Sequence, residues 1–379
     1  MNNNTLLYNK YRPNQLSEVI GHIATIKDLQ KRSKESTIPR VLLLTGNTGV
    51  GKTTLQRIIA KNILCRDKDE NGNSCNICNI CKTIIDEKIS NFYFEYNSSN
   101  IGIDTAREIA ENAEIKSFSN ANAKVFCLDE IQEMSKTKAA LNNLLKPIEK
   151  NYKNVYWILG SMGDLKDIPK AIVNRCTTYK LKPHTIEEIS KQLYFICKQE
   201  NVLIDNEEKI NVLLTIAENS YGSMRQALSY LERIIYSELW TVNEVTKELE
   251  IISSSDLITS INYLFKGNSE AFNIQYTIEL KDKLRYMLGT IYKSLSGIEV
   301  PYWQTQQLQG IDKTISIQQV EYALNKLFEL NKYPYVNQEI IDFILVDIFN
   351  QNKEKNETKK RISEIDILQN KGNIIRRRN

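Results

Sequence analysis

The chain has 379 residues and a formal net charge of +4, from 50 Lys and Arg against 46 Asp and Glu. That length predicts about two or three domains. No apolar run approaches the ~20 residues of a membrane span, and the opening MNNNTLLYNKYRP lacks a signal-peptide apolar region. Four of the seven cysteines crowd into one short segment and the rest are scattered. This points to a reducing, cytoplasmic setting and a metal rather than to secretion.

In chain order, a helix is predicted over Ile26–Lys34 and a strand over Val41–Thr45. The strand runs directly into GNTGVGKTT, Gly46 to Thr54, a complete G-x-x-x-x-G-K-[ST] loop that opens a helical pattern over Thr53–Leu64. Strand, glycine loop and helix in that order form a phosphate cradle. Glycines let backbone N–H groups approach the phosphates, and the helix N-terminus adds partial positive charge. The cradle would comprise Gly46, Asn47, Thr48, Gly49, Val50, Gly51, Lys52, Thr53 and Thr54. Lys52 is expected to reach the β- and γ-phosphates and the Thr53 hydroxyl to hold Mg²⁺. The alternative, a chance glycine turn before a core helix, does not account for the whole pattern.

Next come Cys65, Cys75, Cys78 and Cys81, spaced C-x9-C-x2-C-x2-C. Four thiolates in a short polar loop match a tetrahedral structural zinc site with no position left open for catalysis. Gly72 lets the chain turn between the ligands. Four free or redox thiols, or an iron–sulfur cluster, are the alternatives.

Strands follow over Phe92–Tyr96, Lys124–Leu128, Val155–Gly160 and Thr177–Leu181. Helices alternate with them over Asp104–Glu114, Ala139–Glu149 and Lys170–Val173. Such alternation predicts an α/β fold with a parallel sheet covered on both faces, its ligand beyond the carboxyl ends of the strands. The strand Val125-Phe126-Cys127-Leu128 leads into Asp129-Glu130. Asp129 would accept from Mg²⁺-bound water and Glu130 would orient or deprotonate the attacking water, as phosphoryl transfer requires. By itself an Asp-Glu strand exit is common. Placed seventy-odd residues after a phosphate loop, it gains meaning.

After Pro183 only helices are predicted: Thr185–Gln199, Glu207–Asn219 and Met224–Ser237, then Val242–Ile252, Asp256–Phe265, Leu280–Leu295, Ile317–Leu330 and Gln338–Phe349, with Pro301 and Pro334 in connections. The expected organisation is an α/β nucleotide-binding domain over 1–182 with the cysteine module at 65–81, a small helical domain over 183–240, a further helical domain over 241–350 and a basic tail over 351–379. That tail carries +5, leaving the remainder at −1, and includes Lys359-Lys360-Arg361 and Arg376-Arg377-Arg378. It reads either as a solvated terminus or as a phosphate- or partner-binding arm.

Several motifs in order resemble the motor subunit of bacterial DNA polymerase III clamp loaders, the gamma/tau family of AAA+ ATPases. Lys10-Tyr11-Arg12-Pro13 followed by Val19-Ile20-Gly21 resembles the segment that packs around adenine. The phosphate loop and Asp129-Glu130 match the two Walker motifs, and the cysteine module follows the first helix as in the family. Leu144-Leu145-Lys146 through Glu149, Asn174-Arg175-Cys176 and Gly222-Ser223-Met224-Arg225 resemble later family elements, so the likeness spans about Asn9 to Ser229. The departures mark a divergent member of the kind a phage or an AT-rich bacterium would encode. Asn174 replaces the family's Ser, Lys150-Asn151-Tyr152-Lys153 lacks a double proline, and the sensor-1 strand reads Ile158-Leu159-Gly160-Ser161-Met162.

The resemblance implies an AAA+ ATPase domain over 1–182, a helical lid over 183–240 and an all-α collar over 241–350, and an activity, with ATP, magnesium and zinc, that opens a sliding clamp and loads it on primer-template DNA. Its partners would be other clamp-loader subunits in a hetero- or homo-oligomer, expected to be a pentamer, together with the clamp and the DNA, and no membrane. Tyr11, Arg12, Pro13 and Ile20 would surround the base. Ser161 would be the sensor-1 hydroxyl, rather than Met162, and Arg225 would contact the phosphates in its own subunit. Arg175 would act on the γ-phosphate of a neighbouring subunit; otherwise it is a surface salt bridge. Arg107 and Thr105, after Gly102-Ile103-Asp104, resemble the segment facing DNA, where helix-terminal amides and Arg bind phosphates without reading sequence. His22 and His184 read as structural or surface residues. The alternatives are another AAA+ DNA-processing motor, acting on junctions or in restart, and a nucleotide-bound scaffold that does not hydrolyse.

Overall fold

The computed structural model of the chain describes residues 6–115, 123–136, 138–150, 152–162, 168, 170–249, 251, 254–273, 280–300, 308, 310–330 and 338–354. The chain divides into two compact units, Met1–Val245 and Thr246–Asn379.

The first unit is built on a five-stranded parallel sheet in the order β2-β3-β4-β1-β5. Its strands are β1 (Val41–Thr45), β2 (Tyr93–Asn97), β3 (Lys124–Asp129), β4 (Val155–Ser161) and β5 (Thr177–Lys180). β1 is buried along its whole length, as a central strand of a two-faced sheet must be. Alternation decides which cover each side chain meets. Leu43, Phe126, Leu128, Trp157 and Leu159 face one core, where Phe94, Phe126 and Trp157 stack with ring centroids 4.6 Å apart. Leu42, Leu44, Val125, Cys127 and Ile158 face the other.

Helices cover both faces. α3 (Lys52–Leu64) turns Leu55, Ile58 and Ile59 onto the second core. α5 (Ile103–Glu114) and α6 (Lys138–Lys150) turn Ala106, Ile109, Leu141, Leu144 and Ile148 onto the first. α2 (Ile23–Lys34) packs beside α3, and α7 (Lys170–Val173) precedes β5. Two short helices, α1 (Leu7–Lys10) and α4 (Asn79–Ile85), are not evident from periodicity because each is two turns or fewer.

Three amphipathic helices follow: α8 (Ile186–Gln199), α9 (Glu207–Glu218) and α10 (Met224–Ser237). Each starts where a side chain satisfies an orphan N–H. Thr185 and Glu188 form a capping box, Asn206 accepts from the Lys209 N–H, and Ser223 accepts from the Gln226 N–H. Thr185 is thus a cap rather than the first helical residue. α11 (Val242–Glu248) ends short of Ile252, which lies outside the described residues.

The described elements of the second unit are helices joined by turns. Its core joins Leu257, Ile261 and Phe265 of α12 (Ser254–Lys266) to Leu284 and Leu288 of α13 (Leu280–Leu295), Val320 and Leu327 of α14 (Ile317–Glu329), and Ile341 and Leu345 of a helix over 338–354. Pro301, Pro334 and the basic clusters of the tail lie outside the described residues. No helix among the described residues is long and apolar enough to cross a membrane.

Candidate nucleotide site and cysteine cluster

β1 delivers the glycine loop to the carboxyl edge of the sheet, and Gly51, with φ of +98°, turns it into α3. Lys52 is the first residue of that helix and is 7% exposed. Its Nζ donates to the carbonyls of Gly46 and Asn47, each at 2.8 Å. Burial lowers the Lys52 pKa, while the nearby carboxylates of Asp129 and Glu130 oppose that shift. The Thr53 hydroxyl donates to Asp129 Oδ2 at 2.6 Å, so the loop and the end of β3 meet. Asp129 Oδ1 accepts from the Glu130 N–H at 3.0 Å. Glu130 has φ of +56°, a left-handed conformation that costs a non-glycine residue about 1 kcal/mol or more.

Gly160 makes this arrangement possible. A Cβ there would stand 2.4 Å from Asp129 Oδ1 and 2.9 Å from Gln56 Nε2. Gly160→Ala therefore displaces the Asp129 carboxylate. Overpacking of this kind costs about 1–3 kcal/mol, visible as a lower melting temperature. The site-specific part should appear as weaker nucleotide binding in Mg²⁺ than in EDTA, relative to the parent. Unchanged binding in both conditions would detach Gly160 from the site.

The pocket above the loop is closed by Tyr8, Tyr11, Arg12, Pro13, Val19 and Ile20 from the N-terminal segment, and by His184, Gln192, Met224, Arg225 and Leu228 from the three-helix region. The loop touches α10 directly. The Met224 N–H donates to the Gly49 carbonyl at 3.1 Å, and Gly49, with φ of +77°, leaves no room for a Cβ beside Ser223 Oγ. The Arg225 guanidinium lies 5.8 Å from the Tyr8 ring centroid. His184 lines the pocket, and His22 Nε2 sits 3.1 Å from the Val50 carbonyl. Burial, then the neighbouring His22, lowers the His184 pKa. Sequence alone marks both only as isolated histidines.

Other nominated residues sit elsewhere. Ser161 is fully buried, its hydroxyl 3.0 Å from Gln132 Oε1, and it does not line the pocket. Met162 does line it, and its Sδ accepts from the Thr48 hydroxyl at 2.8 Å. Gln132 also accepts from the Met162 N–H at 3.1 Å. Nothing in the sequence singled out Gln132 beyond its closeness to Glu130. Arg175 follows α7, away from the pocket, where it donates to the Ala171 carbonyl at 2.7 Å and pairs with Glu149 at 3.0 Å. Arg107 is exposed and lies 3.4 Å from Asp104.

The sulfurs of Cys65, Cys75, Cys78 and Cys81 all lie within 4.8 Å of one another. Cys65 and Cys75 are 3.6 Å apart and Cys75 and Cys81 4.0 Å. Zn–S bonds of about 2.3 Å in a tetrahedron put sulfurs about 3.8 Å apart, so the set fits zinc. The Cys75 N–H points at Cys65 Sγ and the Cys78 N–H at Cys75 Sγ, each at 3.4 Å. Burial works against ionisation of Cys75, but N–H donors including Ile77 and Cys78 outweigh it and bring the thiol down to about 7. We expect one Zn²⁺ per chain, held at these four sulfurs. Elemental analysis of freshly purified protein should find it, and chelation should release four titratable thiols. Metal-free protein with those thiols already reactive would exclude the site.

Residues 21–185 match the family described as DNA polymerase III, delta subunit, and residues 191–235 match the RCF1/5-like AAA+ ATPase lid domain. Among curated proteins, the DNA polymerase III subunit gamma/tau of Mycoplasma genitalium is 31% identical over 71% of this chain and 44% of its own length. The subunit gamma of Buchnera aphidicola subsp. Schizaphis graminum is 29% identical over 71% of this chain and 72% of its own. The subunit tau of Bacillus subtilis is 26% identical over 77% of this chain and 53% of its own. The chain spans less than half the length of the Mycoplasma relative. Among solved structures, the Thermotoga maritima RuvB Holliday junction branch migration motor aligns with a TM-score of 0.46 and 18% identity, over 78% of this chain and 91% of that one.

Proposed function

We propose, for a chain that belongs to the gamma/tau family of DNA polymerase III AAA+ ATPases, that it is an ATP-driven motor subunit of a clamp loader. The observation that carries this reading is the meeting of Lys52, Thr53, Asp129 and Glu130 in one pocket, with walls contributed by the N-terminal segment and by α10. Lys52 neutralises the β- and γ-phosphates. Thr53 and Asp129 would hold Mg²⁺, whose role when bound is to neutralise charge on the transferred phosphoryl group. Glu130 orients the attacking water and takes its proton. Tyr11, Arg12, Pro13 and Ile20 enclose the base, and Arg225 ties nucleotide occupancy to the position of α10. Arg175 serves a neighbouring subunit.

ATP binding at subunit interfaces would favour a form that grips and opens a ring-shaped clamp. Primer-template DNA would then trigger hydrolysis and release. ATPase activity measured with partner subunits, with and without clamp and primed DNA, tests the reading, and activity indifferent to both would contradict it. One observation favours a second reading, a slow or non-hydrolysing scaffold. The pocket-facing position after β4 is Met162, which offers no hydroxyl to the γ-phosphate. ATP bound without turnover in the full assembly would support that reading.

A further inference from the structure

We propose that Lys61 is a positioning residue through which the four-cysteine module holds the base-enclosing wall of the nucleotide pocket. The inference rests on the pocket being a nucleotide site.

Lys61 lies on α3, two turns beyond the phosphate loop, and is only 2% exposed. A buried ammonium is costly unless it is well partnered. Its Nζ donates to the Asn14 carbonyl at 2.8 Å and to Asn76 Oδ1 at 2.7 Å. These acceptors belong to two different structures. Asn14 directly follows Tyr11, Arg12 and Pro13, which line the pocket. Asn76 lies between Cys75 and Cys78, in a left-handed turn with φ of +58°. One ammonium therefore ties the metal loop to the chain that walls the pocket. Four thiolates holding a divalent ion would carry two net negative charges, which would offset the cost of burying Lys61 beside them.

A second link runs parallel to the first. Glu87, just past α4 of the module, pairs with Arg12 at 3.4 Å and with Arg57 of α3. The far side of the module is pinned as well. The Ser74 N–H donates to Asn62 Oδ1 at 3.0 Å, and the Ser33 hydroxyl of α2 donates to the Gly72 carbonyl at 2.5 Å. The module is thus held on α2 and α3, while its inner edge carries the N-terminal segment.

The pocket has a polar end at the phosphate loop and an aromatic and apolar end at the N-terminal segment. Lys61 supports the second end alone. The test is therefore selective, using the full chain with ATP and inorganic tripolyphosphate as probes. Lys61→Met should retain one zinc per chain and bind ATP about tenfold more weakly, the scale of a lost charged hydrogen bond. Tripolyphosphate affinity should change by less than about twofold. Zinc extraction from the parent should weaken ATP in the same selective way. Extraction from Lys61→Met should weaken ATP by less than it does in the parent, because the Lys61 path is already cut and only the Glu87–Arg12 link remains to be lost.

Asn76→Gly removes the module's acceptor at a backbone position glycine favours. It should shift ATP affinity in the same direction, and it keeps the test decisive if Lys61→Met does not fold. Lys88→Ala, which breaks only an exposed pair with Asp86, is the control. Unchanged ATP affinity in zinc-loaded Lys61→Met or Asn76→Gly, or equal weakening of ATP and tripolyphosphate, overturns the proposal. A parent chain that binds neither probe overturns the nucleotide reading and this inference together.

Discussion

Glu130→Gln is expected to leave ATP affinity within about twofold of the parent and to lower turnover by roughly 10²–10⁴-fold, the usual contribution of a positioned base. Glutamine keeps the size of the side chain and the left-handed backbone at this position but cannot take a proton from water. Lys52→Ala is expected to act at a different stage. It removes a buried positive charge needed in both ground and transition states, so ATP affinity itself falls. Truncating one partner of a buried charged pair typically costs about 2–5 kcal/mol, or about 30-fold or more in Kd. Equilibrium binding of a labelled nucleotide and steady-state phosphate release separate the two. Equal loss of binding in both variants would contradict the assigned roles. The same pair of measurements distinguishes the motor from the scaffold reading, since a scaffold loses nothing measurable when Glu130 is replaced.

Arg175→Ala is expected to retain ATP binding in its own pocket and to lose hydrolysis in the neighbouring one by ~10³-fold or more, the scale of an arginine supplied in trans. Within a single chain its guanidinium is partnered by Glu149 and the Ala171 carbonyl, and its side chain is 42% exposed. A half-exposed pair of this kind adds little stability, so replacing Arg175 should hardly move the melting temperature. Mixing decides the question. Arg175→Ala chains combined with Lys52→Ala chains should recover part of the ATPase activity, because some interfaces then join an intact loop to an intact arginine. Absence of recovery in a demonstrably mixed assembly, or normal ATPase in Arg175→Ala alone, returns Arg175 to a plain surface ion pair.

Much of the molecule was legible in the sequence because the signals are local. The alternation of apolar strands with amphipathic helices dictates a parallel sheet wherever consecutive elements must bury their faces. The phosphate loop declares itself because its glycines and Lys52 act within a few residues of chain. The cysteine spacing places sulfurs together within one loop, and their convergence within 4.8 Å needs little beyond that spacing. Lys52, Thr53, Asp129 and Glu130 could be nominated because each lies at a strand end or helix start, the places where a parallel sheet gathers its chemistry.

What only the tertiary structure decided are contacts between segments far apart in sequence. Ser161, the last residue of β4, is buried with its hydroxyl on Gln132, and Met162, one step beyond the strand, lines the pocket instead. Gly160 reads as an ordinary strand glycine until Asp129 is seen pressed against it. His184 enters the pocket wall because α8 and α10 fold back over the loop. Lys61 looks like any solvent-facing helix lysine, yet the N-terminal segment before it and the cysteine loop after it both close over its ammonium. These partners lie tens of residues away in the chain, and where both faces of a strand are covered the alternation of side chains does not say which of two adjacent residues will reach the pocket.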